Sequence, residues 1–123
     1  MKKLTPVLVV DDVKPCVDWW CGRLGFEKRV EVPEGSALGF VILVVGDVEI
    51  MYQSRRSVAA DIPALTAESF HTCLFLEVSD LDSVERRLQG ADFVFARRQT
   101  PYGATEIAVH DPANNVVVFA QFG

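Results

Sequence analysis

The strongest constraint on this 123-residue chain is that it repeats itself. Leu4 to Val13 reads as a strand running into an acidic turn and a helix start, and Thr72 to Leu81 reads the same way 68 positions later. A second matched pair, Val48 to Gln53 and Val116 to Gln121, lies at the same offset. One offset at both ends points to duplication of a single supersecondary unit. Paired units of this kind can build a shared cleft, which is where a small-molecule site belongs.

Local patterns fill in the unit. Thr5 to Val10 is β-branched and bounded by Asp11-Asp12, a strand. Asp12 can cap a helix with Pro15 in its first turn, where the missing amide hydrogen costs nothing. That helix carries Val17, Trp20 and Leu24 on one face and stops near Gly25. Phe26 to Val32 is the next strand, Pro33 to Ser36 a turn, and Leu38 to Val45 a strand apolar on both faces, hence central. Gly46-Asp47 is a hairpin turn before the strand Val48 to Gln53. Ser54 to Ser69, with Pro63, has no strand periodicity and reads as a connection with at most one helical turn. The second unit runs through a strand (Thr72 to Val78), a helix (Asp80 to Gln89), and strands at Phe93 to Arg97, Thr105 to His110 and Val116 to Gln121. The turn Asp111 to Asn115 offers Asn114 or Asn115 for a left-handed position. The expected fold is α+β: two tandem βαβββ modules forming a curved mixed sheet with a concave cleft. They make one domain of two repeats, about 4–53 and 71–121, joined by a 54–70 connector.

Composition narrows the function. The net charge of −5 disfavours nucleic acid, whose binding depends on neutralising phosphate. No apolar run reaches the roughly 20 residues of a membrane helix. Lys2-Lys3 and the strand after it run into Asp11-Asp12 without a cleavage-site pattern, so the segment reads as mature structure and the expected location is the cytoplasm. Cys16, Cys21 and Cys73 form no C-x-x-C pair, and Cys16 and Cys21 read as inert helix thiols. The doublets Arg55-Arg56, Arg86-Arg87 and Arg97-Arg98 read as solvated faces, and His110 as a solvated loop residue. Of the adjacent Trp19 and Trp20, one is expected in the core and the other at a subunit interface.

Alternation divides the opening strands. Leu8, Val10, Leu74, Leu76 and Val78 are expected beneath the helices; Thr5, Val7, Val9, His71, Cys73, Phe75 and Glu77 are expected on the opposite, concave face. That second set mixes apolar, aromatic, thiol, imidazole and carboxylate groups, as a ligand cavity requires.

Thr5 to Val13, Leu24-Gly25-Phe26, Cys73 to Leu81, and Pro101 to Glu106 leading to Asp111-Pro112 and Phe119 together resemble the vicinal oxygen chelate superfamily. That superfamily comprises glyoxalases, extradiol dioxygenases, fosfomycin-resistance transferases and bleomycin-resistance proteins. The closing segment is most similar to the bleomycin-resistance branch, where an aromatic-glycine pair, here Tyr102-Gly103, precedes a Glu, here Glu106, and an Asp-Pro turn. The resemblance implies metal ligands near each end of each module in the metal-dependent members. Carried over singly, these positions fall on Thr5, on Cys73 with His71 two residues earlier, on Val118, and on Glu49, Ile50 or Met51. The best donors among them, Glu49, His71 and Cys73, lack the oxygen- and nitrogen-rich shell of a catalytic divalent ion. No cofactor is therefore expected, one divalent metal being the alternative.

Two functions compete on these grounds. The first is a homodimeric binding protein, not an enzyme, that sequesters a bulky, aromatic, cationic compound such as a bleomycin-like antibiotic. Tyr102 would stack on the ligand, Phe75, Phe40, Met51, Cys73 and Val118 would line it, and Glu77 or Glu106 would supply charge. The second is a glyoxalase- or lyase-type enzyme with a divalent metal on Glu49, His71 and Cys73. A dimeric domain without ligand chemistry is a third. No Ser-His-Asp or Cys-His-Asn order is recognisable.

Overall fold

The structure, a computed structural model, describes residues 2–63 and 71–123. Its backbone contacts divide it into two compact units, one up to residue 70 and one from His71 onward. In the first, β1 (Val7–Val10), α1 (Val13–Leu24), β2 (Glu27–Glu34), β3 (Ala37–Val45) and β4 (Val48–Ser54) are followed by α2 (Arg55–Asp61). The strands lie in the order β1-β4-β3-β2, β1 parallel to β4 and the other pairs antiparallel. The second unit has the same plan: β5 (Cys73–Glu77), α3 (Leu81–Arg87), β6 (Asp92–Gln99), β7 (Ala104–His110) and β8 (Val116–Phe122). Its order is β5-β8-β7-β6, with β5 parallel to β8. The fold is thus α+β, a tandem pair of βαβββ modules with one mixed four-stranded sheet each.

The repeated acids explain why both halves turn from strand to helix at the same place. The Asp12 carboxylate accepts from the Lys14 N–H at the start of α1, and the Asp80 carboxylate accepts from the Ser83 N–H at the start of α3. Gly25 ends α1 in the left-handed conformation (φ 73°), its N–H donating to the Trp20 carbonyl.

The first core lies between α1 and one side of its sheet. Leu8, Val10, Val41, Leu43, Ile50 and Tyr52 meet Val13, Cys16, Val17 and Trp20, all buried. Leu24 is half-buried, so the apolar stripe of α1 sits one turn closer to its N-terminus than the sequence pattern suggests. Trp20 takes the core position, while Trp19 is half-buried and packs edge-on against it at 5.2 Å. The Trp20 indole Nε1–H donates to the Tyr52 hydroxyl at 2.7 Å, and both residues are fully buried. Tyr52→Phe would leave that N–H without its acceptor in an apolar core. The expected cost is about 1–2 kcal/mol, read as a lower urea midpoint by tryptophan fluorescence.

The second core is formed by Leu81 and Leu88 on the helical side with Ile107, Val109, Val117 and Phe119. Leu74, Leu76 and Val78 point the same way but stay half-buried. The five-residue turn between β7 and β8 is held by the buried Asp111. Its Oδ1 accepts from the N–H groups of Ala113 and Asn115, and its Oδ2 from the Asn115 side-chain amide. Asn114 adopts φ 65°, the left-handed position expected in this turn.

Several boundaries differ from expectation. The Pro33–Ser36 turn is shorter, because β2 carries on through Pro33 and Glu34 as a sheet edge, where proline breaks no ladder bond. β1 begins at Val7 rather than Thr5, although Pro6 already accepts a bond from Met51 N–H. Ser54 belongs to β4 and caps α2 through its hydroxyl, giving a seven-residue helix where at most one turn was expected. The rest of the connector, residues 64–70, lies outside the described residues. The repeat offset is also not uniform. Val7 pairs with Met51, 44 residues on, whereas Phe75 pairs with Val118, 43 residues on. The modules therefore correspond at 68 residues in the opening strand and helix cap, but at 67 in the closing strand.

Candidate functional site

Each sheet has one face against its helix and one face free of it. On the helix-free face of the second sheet, ladder pairing brings three rows of side chains into line across the strands. Cys73, Val116, His110 and Asp92 form one row; Phe75, Val118, Ala108 and Phe95 form the next. Glu77, Ala120, Glu106 and Arg98 form the third, beyond which Ala104 is paired with Phe122. Because paired residues in a ladder project to the same side, five of the expected site residues, Cys73, Phe75, Glu77, Glu106 and Val118, gather on one surface, and Tyr102, from the turn before β7, joins them through its bond to Glu106.

The aromatic part of that surface is open. Phe75, Phe122 and Tyr102 are 51%, 45% and 57% exposed. Phe122 stands between the other two, with ring centroids 6.4 Å from Phe75 and 6.2 Å from Tyr102, all tilted. Val118 is buried beneath them and Ala120 is small and buried, so the floor under the rings is apolar. Phe122 went unread in the sequence because it falls one residue beyond the expected strand. Continuing the alternation from Val118 through Ala120 reaches it.

The polar part is built around Glu106, which is 1% exposed. Its Oε1 accepts from Arg98 Nε at 3.1 Å and Nη2 at 2.9 Å, and its Oε2 accepts from the Tyr102 hydroxyl at 2.6 Å. The Arg98 guanidinium also lies 3.6 Å from the Phe95 ring centroid, a cation–π contact. Both carboxylate oxygens are thus engaged, and the burial of charge is offset by a paired cation and a hydroxyl donor. The hydrogen bond to Glu106 pushes the Tyr102 phenol above its ordinary range, reinforced by burial and by the carboxylate's charge. Arg98 stays exposed, as its doublet suggested, yet it also serves as the partner of a buried carboxylate. Arg97, exposed as well, pairs with Asp82 and Glu85 on α3.

Glu77 is exposed, one strand beyond Ala120 on the same row, and its side chain has no hydrogen-bond or ion-pair partner among the described residues. Cys73, expected to line the ligand, is exposed, and His71, also exposed, precedes β5. His110 is the last residue of β7, half-buried with Nδ1 3.1 Å from Asp92, not a loop residue.

Phe40 and Met51 belong to the first unit. They are half-buried on its helix-free face, where Phe40 pairs with Gln53 and Met51 with Ile42. Pairing also narrows the ambiguous position there by placing Glu49 and Met51 on one face and Ile50 on the other. Ile50 is buried beneath α1, while Glu49 turns to the other face, accepting from the Thr5 hydroxyl at 3.3 Å and pairing with Lys3 at 2.8 Å. The hydrogen bond with Lys3 holds the Glu49 carboxyl below its usual range. The donors at the positions the superfamily would use do not fit a divalent ion: Glu49 is committed to an ammonium, Thr5 is a weak ligand, and Val118 is no ligand at all. Among the described residues, no three His, Cys, Asp or Glu side chains gather in a metal-binding group.

The fold has many solved counterparts. A lactoylglutathione lyase from Agrobacterium tumefaciens matches with a TM-score of 0.78 at 15% identity, over 98% of this chain and 94% of that one. TioX from Micromonospora sp. ML1 matches with a TM-score of 0.79 at 20% identity, over the whole of both chains. A bleomycin-binding protein from Streptomyces verticillus, solved with copper(II)-bleomycin, matches with a TM-score of 0.67 at 24% identity, over 100% of this chain and 97% of that one. At such identities the likeness is one of fold. No curated protein sequence matches the chain significantly. Residues 4–119 match the family described as Glyoxalase/Bleomycin resistance protein/Dioxygenase superfamily, and the chain belongs to that superfamily.

Proposed function

We propose that this protein binds and sequesters a bulky, partly aromatic, cationic small molecule without metal, in the manner of a bleomycin-resistance protein. The observation that carries the reading is the open set of rings of Phe75, Phe122 and Tyr102 beside the exposed Glu77. Rings exposed at this angle offer faces and edges to a flat ligand, and a carboxylate next to them suits a cation. The net charge of −5 adds long-range attraction for the same class of ligand. The neighbour solved with copper(II)-bleomycin is consistent with a ligand of this size and kind on this fold. A homodimer working in the cytoplasm completes the reading, and sedimentation of the purified protein checks its dimeric part.

Calorimetric titration with planar cationic compounds tests binding directly. Tyr102→Ala is expected to weaken such a ligand about tenfold, because a favourable aromatic contact contributes on the order of 1 kcal/mol beyond the area it covers. No heat with any planar cation would defeat the reading. A stoichiometric divalent metal in the purified protein, required for turnover, would replace it with a glyoxalase- or lyase-type enzyme.

A further inference from the structure

The row Glu77, Ala120, Glu106 and Arg98 contains two carboxylates that look equivalent in sequence, both acids on strands of one sheet. Their surroundings are unlike. Glu106 is buried and has three donor contacts, two from Arg98 and one from Tyr102, so neither oxygen faces outward unpaired. A ligand cation would have to displace Arg98 or the Tyr102 hydroxyl to reach it. Displacing Arg98 would strand a buried charge, and losing one partner of such a pair is strongly unfavourable. Glu77, across Ala120, is exposed and has no competing cation among the described residues. Ala120, itself buried, separates the exposed acid from the buried one.

We infer that Glu106 is a positioning residue that fixes the Tyr102 ring, and that Glu77 alone supplies the charge by which this face selects a ligand with one positive group. The inference rests on the binding reading for its second half. The first half stands on geometry within one unit. Tyr102 lies in the turn between β6 and β7, four residues before Glu106, and its hydroxyl is anchored to the sheet at 2.6 Å. An anchored ring is ordered before the ligand arrives, so less conformational freedom is lost on binding. The other end of the anchor is braced by Arg98, itself packed on Phe95. The selectivity that follows is for charge at Glu77 and for flatness at Tyr102, with the two properties separable by mutation.

Two probes separate them: proflavine, a planar cation at pH 8, and acridine, a similar ring system that is neutral at that pH. Glu77→Gln is expected to weaken proflavine about threefold and leave acridine unchanged, as for one exposed ion pair. Glu106→Gln is expected to weaken both probes equally, also about threefold, through the loosened ring. Tyr102→Phe, which keeps the ring and cuts the anchor, should reproduce the Glu106→Gln result and guards against a folding defect in that variant. A Glu106→Gln protein that loses proflavine selectively would make Glu106 the counter-ion and overturn the assignment. Positioning has its own readout, independent of any ligand. Ultraviolet titration should show the Tyr102 phenol ionising above the ordinary range, and nearer to it in Glu106→Gln. An unchanged phenol titration overturns the positioning role even if both probes bind. Failure of the wild type to bind either probe overturns the charge assignment together with the binding reading, and leaves the titration to judge the anchor.

Discussion

Trp20→Ala should be the most damaging single substitution in the first unit, lowering its unfolding free energy by about 3–5 kcal/mol. The ring is fully buried between α1 and the sheet. It packs against Phe26 with centroids 4.8 Å apart at 69°, and against Trp19 at 5.2 Å and 79°. Truncation removes that apolar area, opens a cavity in a close-packed core, and strips the Tyr52 hydroxyl of its indole donor. The Trp20 carbonyl also receives the N–H groups of Gly25 and Phe26, so slack at this residue reaches the end of α1 and the start of β2. Urea denaturation followed by far-ultraviolet circular dichroism gives the loss. Trp20→Phe, which keeps much of the volume, should recover a large part of it, and equal losses for the two variants would contradict the cavity argument.

Asp111→Ala is expected to cost about 3 kcal/mol in the second unit, because hydrogen bonds to a charged acceptor are the stronger kind and their buried donors would be left unpaired. Asp111 is buried, and so is Asn115, whose N–H and side-chain amide both donate to it. The Asn115 Oδ1 then accepts from Thr72 N–H at 2.8 Å, which ties the turn to the entry of β5. The substitution should therefore loosen two places distant in sequence, the β7–β8 turn and the start of β5. Hydrogen exchange is the decisive measurement: the amides of Thr72, Ala113 and Asn115 should speed up together. Tryptophan fluorescence would miss the effect, since both tryptophans lie in α1. Exchange confined to the turn would show that the link to Thr72 carries little of the energy.

Much of this architecture was readable because it is set by short-range chemistry. Asp12 as a cap, Gly25 as a helix stop, Gly46-Asp47 as a hairpin and the β-branched runs each specify their own neighbourhood, whereas Asp80, read as the first helical residue, proves to be a cap. Face assignment in the opening strands was readable for the same reason, because alternation is intrinsic to a strand. What escaped depends on irregular pairing. The ladder between β6 and β7 shifts register between Phe93 and Phe95 and again between Phe95 and Arg98. Alternation counted along β6 therefore loses its phase, and the sequence reads Arg98 as half of a solvated doublet without showing that this exposed side chain also pairs with a buried acid. Glu106 was identified from the aromatic-glycine pattern, but its role could not be, since nothing local to it announces that Arg98 and Tyr102 converge on it. Glu49 was ambiguous with Ile50 until strand pairing placed the two on opposite faces.

The one-residue difference in pairing between the two modules has a consequence for how such duplicated proteins change. Strand sides alternate, so a slip of one position exchanges inward and outward side chains along the whole closing strand. Met51 thus corresponds in space to Val118 and not to Phe119, which a constant spacing would assign to it. A change in the length of a turn is enough to give one copy a new exterior without disturbing its helix cap or its opening strand. The closing strands then contribute different groups to the two exteriors, Glu49 bound to a lysine in one and the Phe122 ring in the other, from a common blueprint.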